Sequence, residues 1–282
     1  MSGIKNARDL GADDFIWDYF CRSPEESMTA RVFAAEKAGF DAIGIYLGAW
    51  AQMKTNPSEI EIFDQALRDS GLGLANIETL RGWASPNSPS EQCLAMESSV
   101  WEIADRFKCR YVQVIGDYTG TLAQAAEGFA SLCDRAAEHG LLVGLEPVPE
   151  MTNIENLATA SEIVERANRS NGGLCFDSWH LTRSTNEVSD ILKIPEGKIL
   201  ATQWNDGPAE KVYEDYYTDT LGTRVPPGEG QFLLTEMLDA IRAVNCQAPI
   251  GLEVPSKDLW SAPIEQAAEA SIKGMKRLMG LA

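Results

Sequence analysis

A (β/α)8 barrel is the fold this sequence predicts, on three observations. Short apolar runs rich in β-branched residues alternate with amphipathic stretches of helical spacing, eight times along the chain. The apolar runs are continuous rather than alternating, as parallel strands covered by helices require. Polar and charged residues gather at the C-terminal ends of the fifth to eighth runs, which are neighbours on the rim of a barrel. A doubly wound open sheet is the competing topology, but it would collect such residues at one switch point, and no GxGxxG follows the first run. The 282 residues, 44% of them hydrophobic, suit one barrel domain over 1–282.

The elements follow in order. A first short strand is expected at Phe15 to Phe20, and Ser23, Pro24 and Glu26 open a helix through MTARVFAAEKAG, which Gly39 ends. DAIGIYL is a buried strand; SEIEIFDQALRDSG is a helix with Ile60, Phe63, Ala66 and Leu67 on one face and Gly71 at its C-terminus. LGLANIETL, the third strand, runs into Arg81, Gly82 and Trp83 and a loop, SPNSPSEQ, long enough to wall a pocket. Then come the helix SEQCLAMESSVWEIADRF, the strand CRYVQVIGD and the helix TLAQAAEGFASLCDRAAEHG. LLVGLE, NIENLATASEIVERANR, GGLCFD, a short helix near SDILKI, KILATQW, a long insertion, QFLLTEMLDAIRAV, APIGLEV and SAPIEQAAEASIKGMKRLM complete the eight units.

Composition narrows the partners. With 42 acidic against 24 basic residues the formal charge is -18, which repels a phosphate backbone and an anionic membrane surface, so nucleic acid and membrane partners are not expected. The six cysteines are scattered without a CxxC pair and are expected reduced and buried. MSGIKNARDLGADDF lacks the order of a signal or transit peptide, and no run reaches the ~18 apolar residues of a membrane span; a cytoplasmic location is expected.

Four strand ends carry the chemistry. GLE ends in Glu146, CFD in Asp177, ATQ in Gln203 and GLE in Glu253, and His180 stands three residues beyond Asp177. Taken alone, a strand-end Glu reads as a salt-bridge partner. As a set, three carboxylates and an amide oxygen form a hard-oxygen shell suited to Mn²⁺ or Mg²⁺ and less to zinc, because adjacent unpaired carboxylates repel unless a cation joins them. Only two histidines exist, and His139 precedes a helix-ending glycine on the far side of its unit, where a solvated role is expected. His180 reads either as a proton donor beside the metal or as a rim hydrogen bond. Arg183 and Arg224 are candidate anchors for a carboxylate or phosphate, with surface salt-bridging the alternative for Arg183. Arg81 and Trp83, at the third strand end, are further candidates for substrate binding; Trp83, Trp179 and Trp204 offer flat apolar walls for a ring, with core the alternative for Trp179. Asp206 is expected to orient Gln203 or bind substrate, Asp117 and Tyr118 are lesser pocket candidates, and KVYEDYYTDTLG reads as a lid or a subunit contact, a homo-oligomer included.

LEP, DSWH, QWND, RVPPGEGQF and LEV together resemble the xylose isomerase-like TIM-barrel family of sugar isomerases and epimerases, over nearly the whole chain and most specifically between Glu146 and Glu253. The resemblance implies that Glu146, Asp177 and Glu253 are metal ligands and that Glu146 and Glu253 exchange protons with the substrate. At Gln203 the chain departs from the many sugar epimerases with His there. Gln at that place, with Arg224 and Pro227-Gly228-Glu229-Gly230 downstream, resembles the 3-dehydroshikimate dehydratase branch. The function expected is a metal-dependent isomerase or epimerase acting on a sugar or polyhydroxy-ketone through a metal-stabilised enediolate. Its alternatives are a dehydratase on a cyclic hydroxy-ketone acid and a non-catalytic binding subunit.

Overall fold

The structure is a computed structural model that describes residues 6–84 and 89–281. The first five residues of the expected leaderless N-terminus, and residues 85–88 of the expected pocket-wall loop, lie outside the described residues.

Eight parallel strands close into a barrel in sequence order: β1 (Phe15–Trp17), β2 (Ala42–Tyr46), β3 (Gly73–Leu80), β4 (Tyr111–Val114), β5 (Leu142–Leu145), β6 (Gly172–Asp177), β7 (Ile199–Trp204) and β8 (Ile250–Leu252). Ile16 on β1 pairs with Gly251 on β8, so no sheet edge remains open. The helices around it are α1 (Met28–Ala38), α2 (Leu47–Lys54), α3 (Pro57–Ser70), α4 (Glu91–Phe107), α5 (Leu122–Glu138), α6 (Leu157–Ala167), α7 (Ser178–Arg183), α8 (Tyr216–Gly222), α9 (Leu234–Ala243), α10 (Lys257–Ser261) and α11 (Ile264–Leu278).

Local chemistry explains the boundaries. Ser27, not Ser23, caps α1, its hydroxyl accepting from the Ala30 amide, and Gly39 ends the helix in the left-handed region at φ 86°. Thr121 and Gln124 form a reciprocal capping box on α5, and Gly71 closes α3 as the sequence predicts. Two expected strands run too far. The first stops at Trp17, and a 3-10 turn over Tyr19–Cys21 replaces its second half. DAIGIYL stops at Tyr46, and Leu47 opens α2, a helix to which the sequence assigns no element and which buries Leu47, Trp50 and Met53 against the barrel.

The strand period of two decides what the barrel encloses. Val112, Val114, Leu145, Leu174, Phe176, Trp204 and Leu252 point outward into the core shared with the helices. The intervening positions, Tyr111, Gln113, Cys175, Asp177 and Gln203, turn inward and are buried. Gly144 makes room there, since a Cβ at that position would lie 2.2 Å from the Tyr111 hydroxyl. Among the described residues no helix is long and apolar enough to cross a membrane.

Candidate metal centre

The inward positions nearest the C-terminal ends of the strands form the floor of a cavity of about 240 Å³, lined by Glu146, His180, Arg224 and Glu253 with Gln113, Thr79 and Arg81. Its apolar walls include Phe20, Tyr46, Met151 and Leu221. Glu146 follows β5, Asp177 ends β6, and α7 starts at once after Asp177, so its first turn carries His180 back over the rim. The His180 Nε2 lies 3.4 Å from Glu146 Oε1 and 3.6 Å from Asp177 Oδ2. Each of these three residues offers a ligand atom within 4.8 Å of the others.

Arg224 reaches this floor from the strand-seven insertion. Its Nη1 donates to Asp177 Oδ2 at 3.0 Å and to Glu253 Oε2 at 2.8 Å, joining the two carboxylates through one guanidinium. The other oxygen of Asp177 accepts from the Trp179 amide at 2.6 Å and from Asn205 Nδ2 at 2.9 Å. Burial alone would raise the Asp177 carboxyl, but Arg224, His180 and these hydrogen bonds hold it below its ordinary value. Glu146 is raised well above its ordinary range by burial and by the facing Glu253 and Asp177, despite the hydrogen bond from Gln113 Nε2 at 2.6 Å. Burial and Asp177 likewise lift Glu253 to about 7, against the pull of Arg224. Burial lowers His180 to about 4, so its ring is neutral at pH 7.

Two further acids lie inside the barrel, Asp18 just after β1 and Glu78 on β3, both fully buried and both raised by burial first and by neighbouring carboxylates second. Five carboxyl groups thus influence one another across the barrel, with Arg224 as the only cation hydrogen-bonded to any of them among the described residues. That charge imbalance fits a cation site, because a divalent ion would relieve the repulsion that otherwise drives these acids to hold protons. Gln203 fits it too. Its Oε1 accepts from Cys175 Sγ at 3.3 Å while its buried Nε2 has no partner, and half a turn of the amide would give the unpartnered position to oxygen.

The remaining expected site residues divide. Arg81 is exposed at the cavity mouth. Trp83 is wholly buried, donates to the Ile115 carbonyl and packs edge-on against Phe129 behind the wall. Arg183, expected as an anchor, is spent inside the protein: it pairs with Asp219, donates to the Pro208 and Ala209 carbonyls and lies 4.3 Å over the Trp179 ring. Asp206 accepts from the Gly207, Gly228 and Phe232 amides, and its backbone bridges Val225, so it pins the segment carrying Arg224 instead of orienting Gln203. Trp179 and Trp204 are core, and Asp117 ties the fourth loop to Asn153. The sequence reading missed Gln113, Asp18 and Glu78, whose inward parity in apolar strands was visible. It also missed Tyr216, whose hydroxyl lies 2.7 Å from His180 Nδ1.

Comparison with known proteins adds the relatives. A sequence profile of the xylose isomerase-like TIM barrel matches residues 32–278. 3-Dehydroshikimate dehydratase of Pseudomonas aeruginosa is 29% identical over 168 residues, 60% of this chain and 26% of that protein. Inosose isomerase of Bacillus licheniformis is 27% identical over 148 residues, 51% of each chain. The matches therefore span about half the length of these curated relatives or less. A solved structure of the IOLI protein with a binding zinc atom aligns with a TM-score of 0.81 at 17% identity, covering 95% of this chain and 98% of that one, a likeness of fold.

Proposed function

Because the chain belongs to the xylose isomerase-like TIM-barrel family, we propose that it is a divalent-metal-dependent enzyme that enolises a small hydroxy-carbonyl compound, a sugar or related polyhydroxy-ketone, as an isomerase or epimerase. The observation that carries this reading is the pair Glu146 and Glu253, both held at raised pKa on the floor of one cavity that His180 and Arg224 also line, with Asp177 joined to them through Arg224. We read residues 1–282 as one barrel domain.

Glu146, Asp177, Gln203 and Glu253 are the residues assigned to the cation, Mn²⁺ or Mg²⁺. Once bound, such an ion supplies the positive charge that polarises a substrate carbonyl. The chain's own groups do the rest. Glu253, which a bound ion would keep as a carboxylate, suits removal of an α-proton and its return, and Glu146 is the partner that delivers a proton at the neighbouring position. Neutral His180 offers a hydrogen bond to a substrate oxygen, and Arg224 steadies the negative charge that develops when the α-proton leaves. The apolar walls keep bulk water from that intermediate.

Calorimetric titration of chelator-treated protein with Mn²⁺, Mg²⁺ and Zn²⁺, run alongside Asp177→Asn, tests the centre. One site lost in the variant supports it, and no binding to the wild type removes it. A screen of keto-sugars for incorporation of solvent deuterium then tests enolisation. A second reading, a dehydratase of hydroxy-ketone acids, is favoured by Gln203 and by exposed Arg81 at the cavity mouth, a guanidinium placed to meet a substrate carboxylate. Incubation with 3-dehydroshikimate decides it by the presence or absence of an absorbing catechol product.

A further inference from the structure

The strand-seven insertion does more than roof the cavity. Helix α8 presents Tyr216, 4% exposed, whose hydroxyl lies 2.7 Å from Nδ1 of His180, itself 6% exposed. Thr220, one turn on, accepts from Trp179 Nε1 at 3.1 Å. These two contacts hold α8 to the core on one side and to the floor of the candidate centre on the other.

The far nitrogen of the ring fixes the direction, since a tyrosine hydroxyl can either donate or accept. His180 Nε2 faces Asp177 Oδ2, and both oxygens of Asp177 already accept hydrogen bonds, from Trp179, Asn205 and Arg224, so Asp177 offers that nitrogen an acceptor and no proton. A neutral imidazole that carries its proton on Nε2 has a lone pair on Nδ1, and the Tyr216 hydroxyl 2.7 Å away is the group placed to donate to it.

We propose that Tyr216 is a positioning residue that locks His180 in its Nε2–H form, so that the ring acts in the cavity as a hydrogen-bond donor and not as a metal ligand. This assignment rests on the function proposed above only for the donor's use, since the tautomer itself is a property of the free protein. It gives the insertion a specific task. Displacing α8 would release Nδ1, free the ring to turn its lone pair inward, and change the centre from one that donates to oxygen to one that coordinates.

The chain's two histidines make a direct test practical. Long-range ¹H–¹⁵N correlation spectra of imidazole-labelled protein at pH 7, with His139→Gln assigning the signals, report which nitrogen of His180 is protonated. The expected result is a protonated Nε2 and an unprotonated, hydrogen-bonded Nδ1. In Tyr216→Phe the Nδ1 resonance should move downfield, to the position of a nitrogen without a donor, with the far-ultraviolet circular dichroism unchanged. A protonated Nδ1 in the wild type overturns the proposal, as does an Nδ1 signal unmoved in a folded Tyr216→Phe protein. Should that variant not fold, the wild type decides: a slowly exchanging Tyr216 hydroxyl proton correlated with Nδ1 is expected, and a proton that exchanges too fast to be seen counts against it. Failure to bind Mn²⁺ would remove the proposed function and leave these spectra unaffected, so the two failures are distinct.

Discussion

Glu253→Gln is expected to stabilise the metal-stripped protein above neutral pH, at the expense of the chemistry. Glu253 is fully buried and its carboxyl is lifted from an ordinary 4.5 to about 7, by burial first and by Asp177 next, with Arg224 opposing. A gap of that size corresponds to about 3 kcal/mol between the protonated and ionised forms in the fold. Because the folded value lies above the unfolded one, this stability is fully present below pH 4.5 and is lost as the pH rises through about 7. Glutamine has nearly the same shape and cannot ionise, so the variant lacks that loss. Urea unfolding of chelator-treated proteins at several pH values is the assay. The difference in unfolding free energy should move in favour of Glu253→Gln by about 3 kcal/mol between pH 4.5 and pH 8, with equal m-values. Mn²⁺ should reverse the order at pH 8 when supplied at about one thousand times its Kd, where it stabilises the wild type by about 4.1 kcal/mol. A difference that stays constant with pH would refute the reasoning, because it would mean that Arg224 fully compensates the buried charge.

The other expectations are briefer. Glu146→Gln should cut turnover by about a thousandfold with the fold retained, and matched rates in Glu146→Gln, Glu253→Gln and wild type would dissolve the acid–base pair. His180→Ala should lower the rate by about a hundredfold while leaving Mn²⁺ affinity within about threefold, and the reverse pattern in calorimetry would make it a ligand. Asp206→Ala strands three backbone amides and should cost about 3 kcal/mol or more by urea unfolding; an effect below about 0.5 kcal/mol would contradict its pinning role. Gly251→Ala would set a Cβ 2.3 Å from the Thr202 carbonyl, so thermal unfolding should drop sharply, and a wild-type Tm would show that β7 and β8 can part there.

The barrel and the positions of its rim residues were legible because strand and helix periods are local. Eight apolar runs imply eight strands, and the last residue of a run lies at the mouth whatever the partners are, so Glu146, Asp177 and Glu253 could be placed from their runs alone. The same parity would have exposed Gln113, Asp18 and Glu78, had inward positions been followed down each strand. Loop and insertion residues follow no such rule. Arg183 and Arg224 look alike in sequence, yet one is bonded to Asp219 and the Pro208 and Ala209 carbonyls while the other bridges Asp177 and Glu253. Tyr216 meets His180 across 36 residues, and Asp206 spends its carboxylate on amides up to 26 residues away. The sequence by itself determined the class of fold and which acids end its strands, since those depend on repeating local geometry. Only the tertiary structure decided which guanidinium reaches the floor, which ring nitrogen faces it and which candidates are core, because each depends on a hydrogen-bond partner brought close by folding.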